Sequence, residues 1–220
     1  MVDLIDDDKL TPRDKIEIAF QAGLQLIPCG LGGALSSIYF GIKQEKRFKR
    51  IELFYSEVAN ELIKLKENDL KEIRDRIDSL NIYEKESLSA IIEELNDKIE
   101  REHIFIKITY FKQYFLNILK NPNFHDEFDE KKYFLNIISS MTIIEFNVLA
   151  FLYTQKEKVN VGDIPMGKVD PFAIIGAVER LKSFGFIKSY PTYSSLAGDL
   201  FKEQIQISSF GLKFGRLCLH

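Results

Sequence analysis

The side chains that could support nucleophilic or metal chemistry are few and widely spaced in this sequence. Only three histidines and two cysteines occur among its 220 residues. His103, His125 and His220 have no nucleophile or carboxylate pair beside them in a recognisable catalytic arrangement. Cys29 and Cys218 lack the spacing of a zinc motif and do not indicate a disulfide framework. We therefore predict that the protein is not an enzyme and that it has no metal or other cofactor.

One short acidic stretch does contain residue types that bind metal ions. Its members are His125, Asp126, Glu127, Asp129 and Glu130. Their order matches neither an EF-hand loop nor a zinc motif. We interpret residues 124–130 as a solvent-exposed acidic loop, which follows a helix that stops at Asn121 and Pro122.

The composition is typical of a soluble globular protein. Hydrophobic residues make up 45% of the chain and charged residues 29%, which argues against a disordered protein and a uniformly apolar one. The net charge of -3 gives no long-range attraction to phosphates, so any nucleic acid binding has to be local. The amino terminus is acidic and does not resemble a secretion signal. We predict a cytoplasmic location, with membrane association as the alternative.

The longest uncharged stretch covers residues 18–42, and two interpretations of it are open. In the first, two short core helices are joined through residues 28–33, where proline and glycine interrupt helical structure. In the second, the stretch inserts into a membrane or packs helices closely through its small residues. The basic residues that follow favour the second interpretation, since they could contact an anionic surface: Lys43, Lys46, Arg47, Lys49 and Arg50.

Residues 44–121 have a helical pattern throughout. Apolar residues recur every three or four positions, and acidic and basic residues are interspersed between them. Two capping boxes are predicted inside this stretch, one at Asp69 with Glu72 and one at Asn81 with Glu84. We therefore predict a long charged helical hairpin or coiled-coil arm.

The carboxy-terminal third, residues 141–220, follows the element order of a winged helix. Thr142 with Glu145 predicts a capping box for its first helix, and Asp170 with Pro171 predicts the start of a later one. A short strand is predicted at Val159 and Val161, and a left-handed helix end at Gly185. Paired strands are predicted at residues 186–190 and 203–208, with a wing at residues 191–202 between them. Ser208 or Ser209 is predicted to cap the last helix.

These patterns predict a mainly α fold class and three segments. Residues 1–10 form a flexible acidic leader. Residues 11–140 form a helical domain, which contains the uncharged glycine-rich helix pair and the charged helical hairpin. Residues 141–220 form a winged-helix domain of the α+β type with a two-stranded wing.

In a complex with DNA, the helix at residues 172–184 would lie in the major groove. The polar side chains of this helix are few and include no Asn or Gln: Glu179, Arg180, Lys182 and Ser183. Residues 141–220 carry nine basic and seven acidic residues, which is little net charge for neutralising phosphates. Candidates for contact with nucleic acid are Arg180, Lys182, Lys188, Tyr193, Lys202, Lys213 and Arg216. A winged helix used for protein contact is favoured.

Four motifs carry a resemblance to known proteins. They are Gly30-Leu31-Gly32-Gly33-Ala34, Tyr114-Phe115-Leu116-Asn117-Ile118-Leu119, Tyr133-Phe134-Leu135-Asn136-Ile137-Ile138 and Ser208-Ser209-Phe210-Gly211-Leu212-Lys213-Phe214-Gly215. In these motifs the chain resembles small bacterial proteins of the abortive-infection alpha type and their relatives. The resemblance implies a helical protein of mobile elements or phage-defence loci that ends in a winged-helix-like unit. It implies no catalytic residues.

The function expected from the sequence is interaction without catalysis. In this hypothesis the helical arm oligomerises or holds a partner, and the winged helix docks a second protein. The expected partner is another protein, a second copy of the chain, or both. One alternative is a winged-helix regulator that binds DNA, and another is an effector that acts on a membrane through residues 18–42.

Overall fold

A computed structural model describes residues 49–121, 127–165, 167–196 and 198–219. Several predictions concern residues outside these ranges: the acidic leader at 1–10, the uncharged stretch at 18–42, the basic residues Lys43, Lys46 and Arg47, and the metal-binding types His125 and Asp126. Within the described ranges, no helix is long and apolar enough to cross a membrane.

The chain divides into two compact units, one ending at Lys132 and the other beginning at Tyr133. Most of the described residues are helical, and the second unit also contains a small antiparallel sheet of three strands. The first unit contains helices α1 (Lys49–Ile63), α2 (Glu67–Asp78), α3 (Ile82–Arg101) and α4 (Phe105–Lys120), and helix α5 (Phe128–Ser140) includes the boundary.

The helices of the first unit pack on one another through apolar faces. Helix α1 contacts α3 and α4, and α4 also contacts α2 and α3. The rings of Phe54, Tyr55 and Phe115 are in mutual contact, with centroids 5.1 to 6.0 Å apart. The helical prediction for residues 44–121 is therefore confirmed over its described part, because the three-to-four residue spacing gives each helix one apolar face to bury.

The two predicted capping boxes of this unit have different outcomes. At Asn81 and Glu84 the box is present, with both backbone-to-side-chain hydrogen bonds 3.0 Å long. The box predicted at Asp69 and Glu72 is wrong, since α2 already begins at Glu67 and its preceding residue makes no side-chain cap. Asp69 lies instead in the first turn, where its negative charge favours the positive end of the helix dipole.

The predicted acidic loop at residues 124–130 is shorter than expected. Helix α5 begins at Phe128, inside the predicted loop, and Asp129 and Glu130 lie in its first turn. Acidic residues are stabilised at that end of a helix, so their presence did not exclude helical structure. The described part of the stretch is therefore the start of a helix.

The second unit combines helices α6 (Ile143–Thr154), α7 (Pro171–Ser183) and α8 (Ser209–Cys218) with strands β1 (Val159–Asn160), β2 (Ile187–Tyr190) and β3 (Gln204–Ile207). The strand order is β1-β3-β2 and both pairings are antiparallel. Ile187 pairs with Ile207 and Tyr190 with Gln204, which confirms the predicted pairing of residues 186–190 with 203–208. The short strand predicted at Val159 and Val161 is present as β1 on the other edge of β3, but it ends at Asn160, and Val161 begins a 3-10 turn.

Aromatic residues form the core of the second unit. The ring of Phe214 lies 4.5 Å from that of Phe186 and 5.2 Å from that of Phe134, and all three are fully buried. Because Phe134 belongs to this cluster, the second unit begins at Tyr133, earlier than the predicted start at Met141. The chain between β2 and β3 contains a one-turn helix (Tyr193–Leu196) and a 3-10 turn (Leu200–Lys202).

Candidate functional site

Local sequence signals position helix α7, the helix that would lie in the major groove in a complex with DNA. Asp170 caps it by accepting a hydrogen bond of 2.8 Å from the Phe172 N–H, and Pro171 occupies its first position. At the other end Gly185 has a φ of +78°, which is the left-handed conformation that favours glycine. All these predicted signals are confirmed.

One face of α7 is buried and the opposite face is exposed. The buried face consists of Ile174, Ala177, Val178 and Leu181, and α7 contacts α6. The exposed face carries a row of residues spaced by four, three and four positions, which we call the outward stripe: Phe172, Gly176, Glu179 and Ser183. The outward stripe contains no basic residue and no side-chain amide.

Arg180, which was a candidate for DNA contact, forms an ion pair within the unit. Its Nη1 lies 3.1 Å from Oε1 of Glu145, and its Nη2 donates a hydrogen bond of 3.3 Å to the carbonyl oxygen of Ser140. Glu145 is buried, and it also accepts a hydrogen bond of 2.7 Å from the Thr142 N–H in the confirmed capping box of α6. Glu145 therefore balances the charge of Arg180 from inside the unit.

Lys182, the second candidate on α7, lies between two carboxylates. Its Nζ is 2.7 Å from both carboxylate oxygens of Glu203 and 2.8 Å from Oε1 of Glu179. Burial alone would lower the pKa of Lys182, but the hydrogen bonds to Glu179 and Glu203 outweigh burial and raise that pKa. Lys182 therefore stays protonated and paired.

Glu203 is the centre of this polar cluster. Its carboxylate accepts hydrogen bonds from Lys182 and from the Ser189 hydroxyl. Burial alone would raise the pKa of Glu203, but these two hydrogen bonds and the charge of Lys182 lower it below its ordinary value. Both ionic partners are thus held in their charged forms.

The arrangement of Ser189, Glu203 and Lys182 does not suit catalysis. A lysine that activates a serine must lose its proton near neutral pH, and a raised pKa works against that loss. Cys218 is fully buried, and burial raises the pKa of its thiol well above the ordinary value, which disfavours the nucleophilic thiolate. Within the part of the chain that the structure describes, no group of three or more His, Cys, Asp or Glu residues could hold a metal ion.

The other nucleic acid candidates lie on separate elements. Lys188 is on β2, Tyr193 begins the one-turn helix, and Lys202 ends the 3-10 turn, and all three are exposed. Lys213 and Arg216 are exposed on α8. The candidates therefore do not form one row along a single groove-binding element.

Five basic residues were predicted to contact an anionic surface, and Arg50 is the one whose side chain the structure describes. Its Nη1 donates a hydrogen bond of 2.8 Å to the carbonyl oxygen of Glu100. Its Nη2 lies 2.7 Å from Nδ1 of His103, which must act as the acceptor because a guanidinium only donates. Arg50 is half-buried, so at least part of its hydrogen-bonding capacity is used inside the first unit.

The exposed ring of Phe172 is the feature that the sequence reasoning missed. Phe172 is 73% exposed although it is a large apolar residue, and its ring contacts that of Phe201 edge to face at 5.7 Å between centroids. Leu200, beside Phe201, is also exposed. The signal was present in the sequence, since Phe172 lies outside the periodic set of apolar residues that α7 buries.

Comparison with known proteins gave no match. No family model, no curated protein and no solved structure matches the chain.

Proposed function

We propose that the second unit is a winged helix that docks a protein, in a chain that works by interaction and not by catalysis. The outward stripe of α7 carries this proposal. A helix that reads the major groove presents Arg, Lys, Asn or Gln to the base edges. The outward stripe presents instead the Glu179 carboxylate, which is paired with Lys182, and the Phe172 ring, a residue type enriched at protein interfaces.

The pairing of Lys182 on α7 supports the same proposal. To contact a phosphate directly, Lys182 would have to give up contacts with Glu203 or Glu179, because its ammonium group lies within 2.8 Å of both carboxylates. Glu203 is buried, so it would be left as a poorly compensated charge. Binding DNA through this helix would therefore cost free energy that docking a protein does not.

The winged-helix identity is supported by the order and pairing of elements. Helix α6 leads to β1, helix α7 leads to the antiparallel pair β2 and β3, and β1 pairs with the free edge of β3. The segment between β2 and β3 takes the place of the wing. The 3-10 turn Val161–Asp163 stands in the region where a middle helix would be.

Fluorescence anisotropy tests the choice between protein and DNA. The full chain is titrated against a labelled duplex of mixed sequence at low salt, and we expect no saturable binding. Binding that weakens steeply with salt, and that is reduced in Lys188→Ala and Lys202→Ala variants, would support the DNA-binding alternative instead.

Photo-crosslinking in the cells that express this chain tests directly whether α7 docks a protein. The photo-reactive p-benzoylphenylalanine replaces Phe172, and we expect one discrete covalent adduct with a protein. The control carries the same residue at Tyr83, an exposed aromatic position of the first unit, and should not give that adduct. An identical adduct from both positions would count against docking through α7.

The resemblance to abortive-infection proteins supports a role in phage defence. The test compares the plating efficiency of a panel of phages on bacteria with and without the gene. We expect protection by the wild-type chain and by Tyr83→Ser, and loss of protection with Phe172→Ser. Equal plating on all strains would contradict this role.

A further inference from the structure

We propose that the partner of the outward stripe is a second copy of this chain, bound through antiparallel α7 helices. This proposal rests on the proposed docking function and specifies which protein binds to the outward stripe. Two residues of the stripe carry it, Phe172 and Gly176, which lie one helical turn apart on the same face.

The surface formed by these two residues is complementary to itself. Phe172 projects a largely exposed ring, whereas no atom of the described residues, other than Gly176, its chain neighbours and the nearby backbone of α7, lies within 4 Å of the position that a Cβ on Gly176 would occupy. A twofold axis that crosses α7 between them places Phe172 of each copy over Gly176 of the other. One helix thus supplies both the projection and the space that receives it.

No contact among the described residues of the second unit accounts for a glycine at position 176. A glycine in the middle of a helix costs about 1 kcal/mol relative to alanine. At Gly211 and Gly215 this cost has a cause inside the unit. A Cβ added at Gly211 would collide with the Phe186 carbonyl oxygen, and one added at Gly215 would collide with the Tyr153 ring. At Gly176 the space is open, and close approach of a second helix supplies the missing cause.

Charge favours the antiparallel orientation over the parallel one. Glu179 follows Gly176 on the outward stripe, and exposed Lys168 precedes the start of α7. Antiparallel pairing places Glu179 of one copy, which also pairs with Lys182 of its own chain, near Lys168 and Asp170 of the other copy and near the positive end of its helix dipole. Parallel pairing would bring Phe172 onto Phe172 and Glu179 onto Glu179, which repel each other.

The patch around the stripe is small, so the dimer should be reversible. Phe201 packs beside Phe172, and Leu200 adds further exposed apolar surface. A patch with so few large apolar side chains points to a dissociation constant on the order of micromolar. The pairing closes on itself, so association should stop at two copies.

Sedimentation velocity of the full chain over about 1 to 200 μM protein tests the inference. We expect the mass to rise from that of the 25.5 kDa chain toward twice this value and no further. Phe172→Ser removes the projection and Gly176→Gln fills the space, and each should weaken the dimer by about tenfold or more. Tyr83→Ser, at a position 77% exposed in the first unit, is the matched control and should leave the dimer unchanged.

A reciprocal variant separates contact from misfolding. Gly176→Gln replaces an exposed helical glycine at a position where an added Cβ has open space, so the monomer should retain its thermal stability. The double variant Phe172→Ala with Gly176→Phe exchanges the projection and the space, and should restore at least part of the dimer that each single change removes.

The outcomes separate this inference from the proposed function. A chain that stays monomeric, or an oligomer that responds to neither Phe172→Ser nor Gly176→Gln, overturns pairing through α7. If the crosslinker at position 172 then joins a different protein, docking stands and only the second copy is wrong. If it joins no protein and the chain binds duplex DNA, both proposals fall.

Discussion

The buried carboxylate of Glu145 lies 3.1 Å from the guanidinium of Arg180 and accepts the Thr142 N–H at 2.7 Å. One side chain therefore caps the start of α6 and balances a cation on α7. Since α6 and α7 pack against each other, this carboxylate helps to fix the position of α7, and with it the outward stripe, on the second unit.

The first prediction concerns Glu145 itself. Glu145→Ala removes the cap and the charge partner of Arg180, and should lower the free energy of unfolding by about 2 to 3 kcal/mol. Glu145→Gln keeps a hydrogen-bond acceptor and should cost about 1 kcal/mol, because Arg180 is 46% exposed and water can solvate it. Urea denaturation gives these values. The matched control is Glu84→Ala, which removes only a capping box; an equal loss in Glu84→Ala and Glu145→Ala would show that the ion pair contributes nothing.

The second prediction concerns how the stability of the protein changes with pH. The lowered pKa of Glu203 means that its stabilising contribution is present above the unfolded value near 4.5 and is lost as the pH falls through the folded pKa. The raised pKa of Lys182 means that its contribution is present below 10.5 and is lost as the pH rises through the folded pKa. Both contributions are therefore in place around neutral pH.

Urea midpoints between about pH 3 and pH 7 test this behaviour. Glu203→Gln should be less stable than the wild type at neutral pH, and the difference should shrink in acid as Glu203 is protonated in the wild type. Glu157→Gln, at an exposed position, is the control and should follow the wild-type curve. A difference that stays constant over the whole range would contradict the assignment to Glu203.

The third prediction compares three glycines. Gly211→Ala should destabilise the second unit by about 1 to 3 kcal/mol, because the new Cβ would meet the Phe186 carbonyl oxygen, which cannot easily move. Gly215→Ala should also destabilise, through the ring of Tyr153. Gly176→Ala should raise the free energy of unfolding of the monomer by about 0.5 to 1 kcal/mol. Thermal denaturation at dilute protein concentration measures all three, and a destabilising Gly176→Ala would show that position 176 is not open.

The fourth prediction concerns the interior of the first unit. Tyr114 is fully buried and its hydroxyl donates a hydrogen bond of 2.8 Å to the carbonyl oxygen of Lys131. Tyr114→Phe removes the donor and should cost about 1 kcal/mol in chemical denaturation. Tyr83→Phe removes an exposed hydroxyl and should cost nothing measurable. Equal stability of the two variants would mean that the buried hydrogen bond of Tyr114 contributes no more to the free energy of unfolding than a hydrogen bond to water.

Signals between near neighbours in the sequence predicted much of the fold. The capping boxes at Asn81 with Glu84 and at Thr142 with Glu145 are examples, because each depends on residues three positions apart. The same kind of signal failed at Asp69 with Glu72. There the helix hydrogen bonds already begin with Leu70 N–H to the Lys66 carbonyl oxygen, so the acids fall inside the first turn.

The amino-acid sequence by itself determined the helical periodicity, the ends of α7 and the pairing of β2 with β3, since these follow from local spacing and turn residues. Only the tertiary structure decided that Arg180 and Lys182 have carboxylate partners and that Phe172 does not become buried. Charge pairing and burial depend on distances in space between residues far apart along the chain, and such distances exist only once the chain has folded.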